Sequence, residues 1–425
     1  MFTIIRDPLW NNVRVDDAAM RLIDTPAFQR LRYVRQLGWV YLVYPGATHS
    51  RFEHAVGTYH LARRALSLLE EGGEDLGALP ADACQLVRAA ALLHDIGHYP
   101  YSHALEEIGA LHHEEVARPL VTDGEIADVL ADELGPGAAE RIFALIRGES
   151  VSPLQGLISG SFDLDKLDYL RRDAFMCGVS YGEIDVDRLL QSLVLLDEPT
   201  TGRRVVGLRE KGLSALESLL FAKYQMYRNV YWHHAVRAAT AMYKRLVADA
   251  VSAGSLDARE LAAFTDEGLL QRVADQAPGP LLDALRTRRL YKRAFECPAA
   301  DLPAEGGEWI ADDRALAVAV EDALAREAGL APGELLVDYP AKTQMLGLDI
   351  PVLARRGGVR QLTAAGWEGA MNLPRLSEQF YRSARWLRVF TCRRMTLDRR
   401  RIIDLASRPA DDVRRLLDEG RPLLS

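Results

Sequence analysis

Apolar residues along most of this chain recur every three to four positions, the spacing of helices that bury one face. Asp24-Thr25-Pro26 offers a cap and a first-turn proline, and Phe28, Leu31 and Val34 follow at helical spacing, which predicts a helix that Gly38 ends. Ser50 with Glu53 three residues on is a capping box; Val56, Leu61 and Leu66 then predict a helix running to about Glu71. After a polar, glycine-rich stretch over 71–80, another apolar run ends in Ala91-Leu92-Leu93-His94-Asp95-Ile96-Gly97-His98. Tyr99 to His103 reads as a loop leading to a further helix, 121–150 as helices, 163–173 as a helix, and Lys211 to Ala250 as one long helix with room for a kink. Strand-like patterning is sparse: an extended arm over 1–20 with a turn at Asp7-Pro8, and short runs at 203–207, 335–339 and 386–391. A helix fits Arg375 to Ala384.

These elements predict a mainly α chain. The Pro/Ala/Gly-rich segment 298–308 reads as a linker between a helical unit, 1–297, and a smaller α+β lobe, 309–425. A length of 425 residues allows a large core, and 48% apolar with 26% charged residues is ordinary for a soluble globular protein. A net charge of -8 argues against wholesale coating of nucleic acid and leaves room for a local basic pocket. The four cysteines form no CxxC pair, which fits a reducing compartment. No apolar run is long enough to span a bilayer, and the N-terminus carries no signal-peptide pattern, so the expected location is cytoplasmic, with no membrane partner.

His94-Asp95 sets two kinds of metal ligand side by side, and Gly97 lets backbone or substrate come close. His54, in the first turn of its helix, stands where a ligand would, although a lone histidine there is more commonly a core or surface residue. Eight of the ten histidines (49, 54, 60, 94, 98, 103, 112 and 113) fall within residues 49–113, a concentration that points to chemistry. Asp165, Asp168, Tyr169, Arg172 and Asp173 share one helix face. That stripe is either reactive or a solvated charged face opposite Leu164, Leu167 and Leu170, and spacing leaves both readings open. Lys223, Tyr224, Tyr227, Arg228, Tyr231, His233 and His234 can stack a base and neutralise phosphate, or equally serve helix packing.

His54, then His94-Asp95, then a later aspartate resemble the HD superfamily of metal-dependent phosphohydrolases. The likeness narrows at Asp24-Thr25-Pro26-Ala27-Phe28-Gln29-Arg30-Leu31-Arg32, Gln36-Leu37-Gly38, Tyr44-Pro45-Gly46-Ala47 and Arg51-Phe52-Glu53-His54. It continues through Asp163-Leu164-Asp165-Lys166-Leu167-Asp168-Tyr169 and Asp173 to Val337-Asp338-Tyr339 and Arg388-Val389-Phe390. In these stretches the chain is similar to the deoxynucleoside triphosphate triphosphohydrolases of that superfamily, without a sterile-alpha-motif domain. The resemblance implies a helical HD core and hydrolysis of a dNTP to deoxynucleoside and triphosphate.

It further implies a divalent metal (Mn, Fe, Ni, Zn, Co or Mg) on His54, His94, Asp95 and Asp165, with His113 and Glu114 as a catalytic His-Glu pair and Asp95 positioning the attacking water. His98 and His103 would contact phosphates, and Arg51, Lys166, Tyr169 and Lys223 would hold the triphosphate. Gln36 and Asp173 would bind the sugar 3'-hydroxyl, while Leu37 and Tyr231 would leave a ribose 2'-hydroxyl without a partner, at a cost of ~1–3 kcal/mol. Related enzymes are homo-oligomers, tetramers among them, whose interfaces bind activating nucleotides. Asp24, Gln29 and Arg32 match a guanine subsite; Arg188, Arg209, Lys211, Arg288 and Lys292 match cations around a second nucleotide. Thr3 and Arg6 stand where the family has Lys and Asn, and Trp232 replaces a polar residue.

Two other functions fit the same motifs: an HD phosphohydrolase acting on another nucleotide or on nucleic-acid ends, and a nucleotide-sensing protein with little turnover. Triphosphate, pyrophosphate or orthophosphate as product separates the enzymatic readings. Nucleic acid is not an expected partner under the first.

Overall fold

Asp7 accepts the backbone N–H groups of Leu9 and Trp10, closing the turn of an N-terminal hairpin made of β1 (Phe2–Asp7) and β2 (Asn11–Asp16). The expected extended arm is thus a paired ribbon. The computed structural model describes residues 2–161, 163–303, 306–341, 349–363, 366–367 and 370–424. Seven helices carry or brace the region around His94: α1 (Arg51–Glu71), α2 (Ala83–Leu93), α3 (His113–Thr122), α4 (Leu164–Cys177), α5 (Leu213–Met226), α6 (His234–Ser252) and α7 (Asp266–Gln276). The Ser50–Glu53 capping box is present at the start of α1, and α1 packs against α2 and α4.

The remaining strands are β3 (Leu193–Asp197), β4 (Arg204–Arg209), β5 (Lys292–Pro298), β6 (Leu335–Asp338), β7 (Ile350–Leu353), β8 (Val359–Leu362) and β9 (Trp386–Thr391). They form two sheets, ordered β3-β4-β7-β8 and β5-β9-β6. β4 and β7 run parallel; the other pairs are antiparallel. The chain is mainly α with small sheets in its C-terminal part. The sheets cross the 297/309 division in both directions, because β5 joins β6 and β9 while β7 and β8 join β4. Segment 298–308 is a packed connection where it is described: Ala299 N–H bonds to Arg385 O, and Leu302 is buried. Residues 304 and 305 of that linker lie outside the described residues.

Two helices expected from periodicity end early. Thr25 caps a helix of only four residues, Pro26–Gln29, followed by a 3-10 turn over Arg30–Tyr33. Residues 34–36 are drawn into tertiary pairing instead: Arg51 N–H bonds to Val34 O, and Gln36 N–H to His49 O. The 211–250 helix breaks into α5 and α6 around a π-turn at Tyr227–Tyr231, where Trp232 N–H reaches back to Tyr227 O. Such turns add a residue to the helix and re-aim side chains; this one puts Tyr227 and Tyr231 on the wall of the central cavity.

Candidate active site

α1 delivers His54 from its first turn, α2 ends on His94, Asp95 follows, and α4 supplies Asp165 from its second position. His54 Nε2 lies 3.1 Å from His94 Nε2, 3.0 Å from Asp165 Oδ1 and 3.6 Å from Asp95 Oδ2. His94 Nε2 lies 3.4 Å from Asp95 Oδ1 and 3.6 Å from Asp165 Oδ1. The other ring nitrogens are committed elsewhere: His54 Nδ1 to Asp168 Oδ2 at 2.8 Å, and His94 Nδ1 to Ala91 O at 2.9 Å. A carboxylate and a carbonyl only accept, so each neutral ring carries its proton on Nδ1 and turns a bare Nε2 inward. Two imidazole lone pairs and two carboxylates then meet with no donor among them. That donor set fits a divalent cation, and its mixed nitrogen and oxygen suit a transition ion better than magnesium. Without a cation a proton takes its part: burial would depress His54, yet hydrogen bonds to Asp165 and Asp168 outweigh it and push its pKa up to about 10. Asp165 is held well below the usual carboxylate range by the same two histidines, against the effect of its burial.

Asp168 orients His54 and is itself fixed from three sides. Arg172 Nε and Nη2 reach its two oxygens at 2.8 and 2.9 Å, and Trp10 Nε1 donates to Oδ1. Arg172 also bonds Asp7 at 2.8 Å, so the N-terminal hairpin closes the network behind the His54–His94–Asp95–Asp165 cluster. The stripe on α4 is therefore neither a solvated face nor opposite the core; Asp168, Arg172 and Asp173 are as buried as Leu164, Leu167 and Leu170. Gly97 takes the close approach of backbone rather than substrate: a Cβ there would sit 2.1 Å from His113 O.

On the other side of Asp95, Arg51 donates to Asp95 Oδ2 and to Ser102 Oγ, and His98 Nε2 lies 3.1 Å from Asp95 Oδ1. The His98 ring stacks on His113 with centroids 3.9 Å apart. His113 does not pair with Glu114, which corrects the expectation from sequence. Its Nδ1 is 2.8 Å from Glu106 Oε1, while Glu114 bonds Arg147 at 2.9 Å. A helical first turn points Glu114 away from its neighbour's ring, whereas the 3-10 turn at Glu106–Ile108 folds back on it. His103 approaches the other Glu106 oxygen at 3.2 Å. The two histidines hold Glu106 far below the ordinary glutamate range despite its burial, and burial brings His113 down although Glu106 opposes it.

Arg51, His94, Asp95, His98, Ser102, His103, Glu106, His113 and Asp165 line one cavity of about 720 Å³, together with Gln36, Leu37, Lys166, Tyr169, Asp173, Tyr227 and Tyr231. Asp173 is clamped by His49 Nε2 at 2.8 Å and by the Tyr231 hydroxyl at 2.7 Å, and the buried Gln36 Oε1 has no partner. Lys166 is anchored by Asp163 and Gly160 O. Lys223 sits behind the wall, 5.6 Å from the Tyr227 ring centroid. Glu106, Asp168, Ser102, His49 and Tyr227 are contributors the sequence reading left unassigned. Asp168 was within reach through its place on the Asp165 stripe; Glu106, seven residues before His113 in a loop, has no periodic signal.

The residues matched to activating nucleotides fall in three places. Arg32 Nε donates to Gln29 Oε1 at 2.8 Å, with Asp24 at the end of the preceding helix. Arg188 Nε bonds Lys211 O at 3.2 Å, and Arg209 lies 3.9 Å from Glu74. Arg288 Nε donates to Leu42 O at 2.7 Å, and Lys292 opens β5. No helix among the described residues is long and apolar enough to cross a membrane.

Residues 51–173 match the HD domain and residues 184–366 the HD associated region. An uncharacterized protein of Methanocaldococcus jannaschii is 36% identical over 311 residues, covering 72% of this chain and 62% of its own. The deoxynucleoside triphosphate triphosphohydrolase SAMHD1 homolog of Dictyostelium discoideum is 30% identical over 314 residues, covering 68% of this chain and 59% of its own. The matched part thus spans about six-tenths of these relatives. A hypothetical protein of Aquifex aeolicus, whose crystal structure is known, superimposes with a TM-score of 0.71 at 27% identity, with both chains fully covered. With its HD domain followed by an HD associated region, the chain belongs to the HD-domain superfamily.

Proposed function

We propose that the chain is a metal-dependent phosphohydrolase that splits dNTPs into deoxynucleoside and inorganic triphosphate. One observation carries the reading: the clamped Asp173, with Tyr231 and the unpartnered Gln36, shares a single cavity with His94, Asp95 and Asp165 of the cluster and with His113. A sugar hydroxyl can be read at one end while a phosphate meets the ligands at the other. The Dictyostelium relative's name supports the same substrate class. His54, His94, Asp95 and Asp165 would hold a divalent ion, which when bound would supply Lewis-acid chemistry to the phosphoryl group and its attacking water.

The chain's own residues do the rest. Arg51, Lys166 and Tyr169 hold the triphosphate, with His98 and His103 on its oxygens and the charge of Lys223 acting on it from behind the Tyr227 wall. His113 delivers a proton to the leaving oxygen, and the ionised Glu106 fixes its ring and favours its protonated form. Gln36 and Asp173 bind the 3'-hydroxyl; Leu37 and Tyr231 leave no partner for a 2'-hydroxyl. Incubation with each dNTP and NTP, singly and mixed, with Mg or Mn, followed by identification of both products, tests the reading. Deoxynucleoside with intact triphosphate is expected, and faster turnover in mixtures would reveal activation by a second nucleotide. Orthophosphate or pyrophosphate as the sole phosphorus product would overturn it.

A further inference from the structure

A corner of the fold at residues 264–266 lies on no wall of the cavity, yet it holds two of those walls. Asp266, 1% exposed at the start of α7, accepts the Tyr101 N–H at Oδ1 (2.8 Å) and the Arg35 N–H at Oδ2 (3.0 Å). Arg35 Nη1 adds a contact to Oδ2 at 3.3 Å. Two residues earlier, Phe264 O accepts from Arg30 Nη1 at 2.9 Å, and the same guanidinium donates to His98 O at 2.8 Å and Ile96 O at 3.1 Å. The segment after the His-Asp pair and the segment carrying Gln36 are thus tied to one distant anchor.

The tie is not slack. Tyr101 and Ser102 both hold positive φ, 58° and 67°, which non-glycine residues adopt only when their surroundings impose it. Gly38, at φ 51°, packs so closely that a Cβ would lie 2.8 Å from Tyr101 O. The Tyr101 ring stacks flat on Trp39, centroids 4.1 Å apart. From this locked junction Ser102 Oγ and Gln36 O reach the Arg51 guanidinium, whose other end bonds the ligand carboxylate of Asp95.

We propose that Asp266 is a positioning residue: by holding the Arg35 and Tyr101 amides on its two oxygens, it locks the 34–38 and 99–103 loops together and so places Arg51 against Asp95. The consequence for turnover rests on the phosphohydrolase reading above. Asp266→Asn keeps the shape and turns one acceptor into a donor facing an N–H. In the full-length protein, amide exchange at Arg35 and Tyr101 should quicken at least about tenfold, with the interiors of α1 and α7 unchanged. Bound metal should stay at the wild-type level, and kcat for dNTP should fall about 10- to 100-fold, the scale of a small misplacement. Wild-type exchange at both amides, quickened exchange throughout α1 and α7, or local quickening with kcat retained would each overturn the proposal. If the wild-type protein turns over no dNTP, the functional reading falls by itself, and amide exchange still decides whether Asp266 holds the loops.

Discussion

His113 Nδ1 lies 2.8 Å from Glu106 Oε1, whereas the glutamate next to it in sequence, Glu114, reaches Arg147 at 2.9 Å. A carboxylate on Nδ1 fixes the ring and favours its protonated form, so the group that matters to His113 is Glu106. Glu106→Gln is expected to lower kcat by roughly 10²- to 10⁴-fold, the range for general acid-base groups, and Glu114→Gln to change it by no more than a few-fold. His113→Ala should bind metal and substrate and lose turnover. Steady-state kinetics on the three variants check this; equal losses at Glu106 and Glu114 would return the pair to its sequence assignment.

The brace behind the proposed metal ligands predicts a graded series. Asp165→Ala removes a ligand and should leave the protein without tightly held metal. Asp168→Asn touches no metal, but its amide presents one donor where His54 Nδ1–H needs an acceptor. An outer partner of this kind typically accounts for about 10- to 100-fold in affinity. Metal content after dialysis against a graded chelator reads both. Asp168→Asn with wild-type affinity would mean that the backbone alone orients His54.

Tyr231 donates to Asp173 Oδ2 at 2.7 Å and lines the end of the cavity proposed to take the sugar. Tyr231→Ala should open space beside the 2'-carbon and let water or ribose hydroxyl in. The discrimination at stake is that of one unpartnered hydroxyl, ~1–3 kcal/mol. The ratio of kcat/KM for dATP to that for ATP should drop by about tenfold or more, and an unchanged ratio would remove Tyr231 from the selection of deoxyribose.

What could be read from the sequence followed the range of the interactions. His54, His94, Asp95 and Asp165, named together by the family resemblance, converge at or just beyond helix ends, the two histidines 3.0–3.6 Å from each other and from both aspartates. The Ser50–Glu53 box that starts the His54 helix was legible in this local way. Glu106 and Asp266 were not legible, since they act through turns and backbone contacts that no spacing rule encodes. The short helix at Pro26 failed for a related reason: residues 34–36 had a better partner in 49–51 than helical continuation offered. Strand β7, which carries β8 on its other edge, pairs with a strand more than a hundred residues earlier, so a division drawn on composition near 298 separated segments that fold as one sheet.

Lys223 offers a test with a defined sign. It is 5% exposed, and burial together with the charge of Lys166 brings its pKa down to about 7, from the ordinary 10.5. Below pH 7 the free protein carries that charge; as pH rises through 7 it is lost. A bound polyanion favours the cation, so binding takes up a proton above pH 7, and KM for a triphosphate should climb there by at most about tenfold per unit. Stability runs the other way. Between 7 and 10.5 the unfolded chain binds more protons at this lysine than the folded one, so its contribution to stability rises with pH, and lost affinity cannot be blamed on unfolding at this group. Lys223→Arg keeps the charge throughout, because a guanidinium stays protonated. The KM profile of that variant between pH 6.5 and 8.5, a window set by the pKa of about 7, should be flatter than the wild-type profile. Identical rising profiles in the two proteins would assign the titration to another group and take Lys223 off the triphosphate.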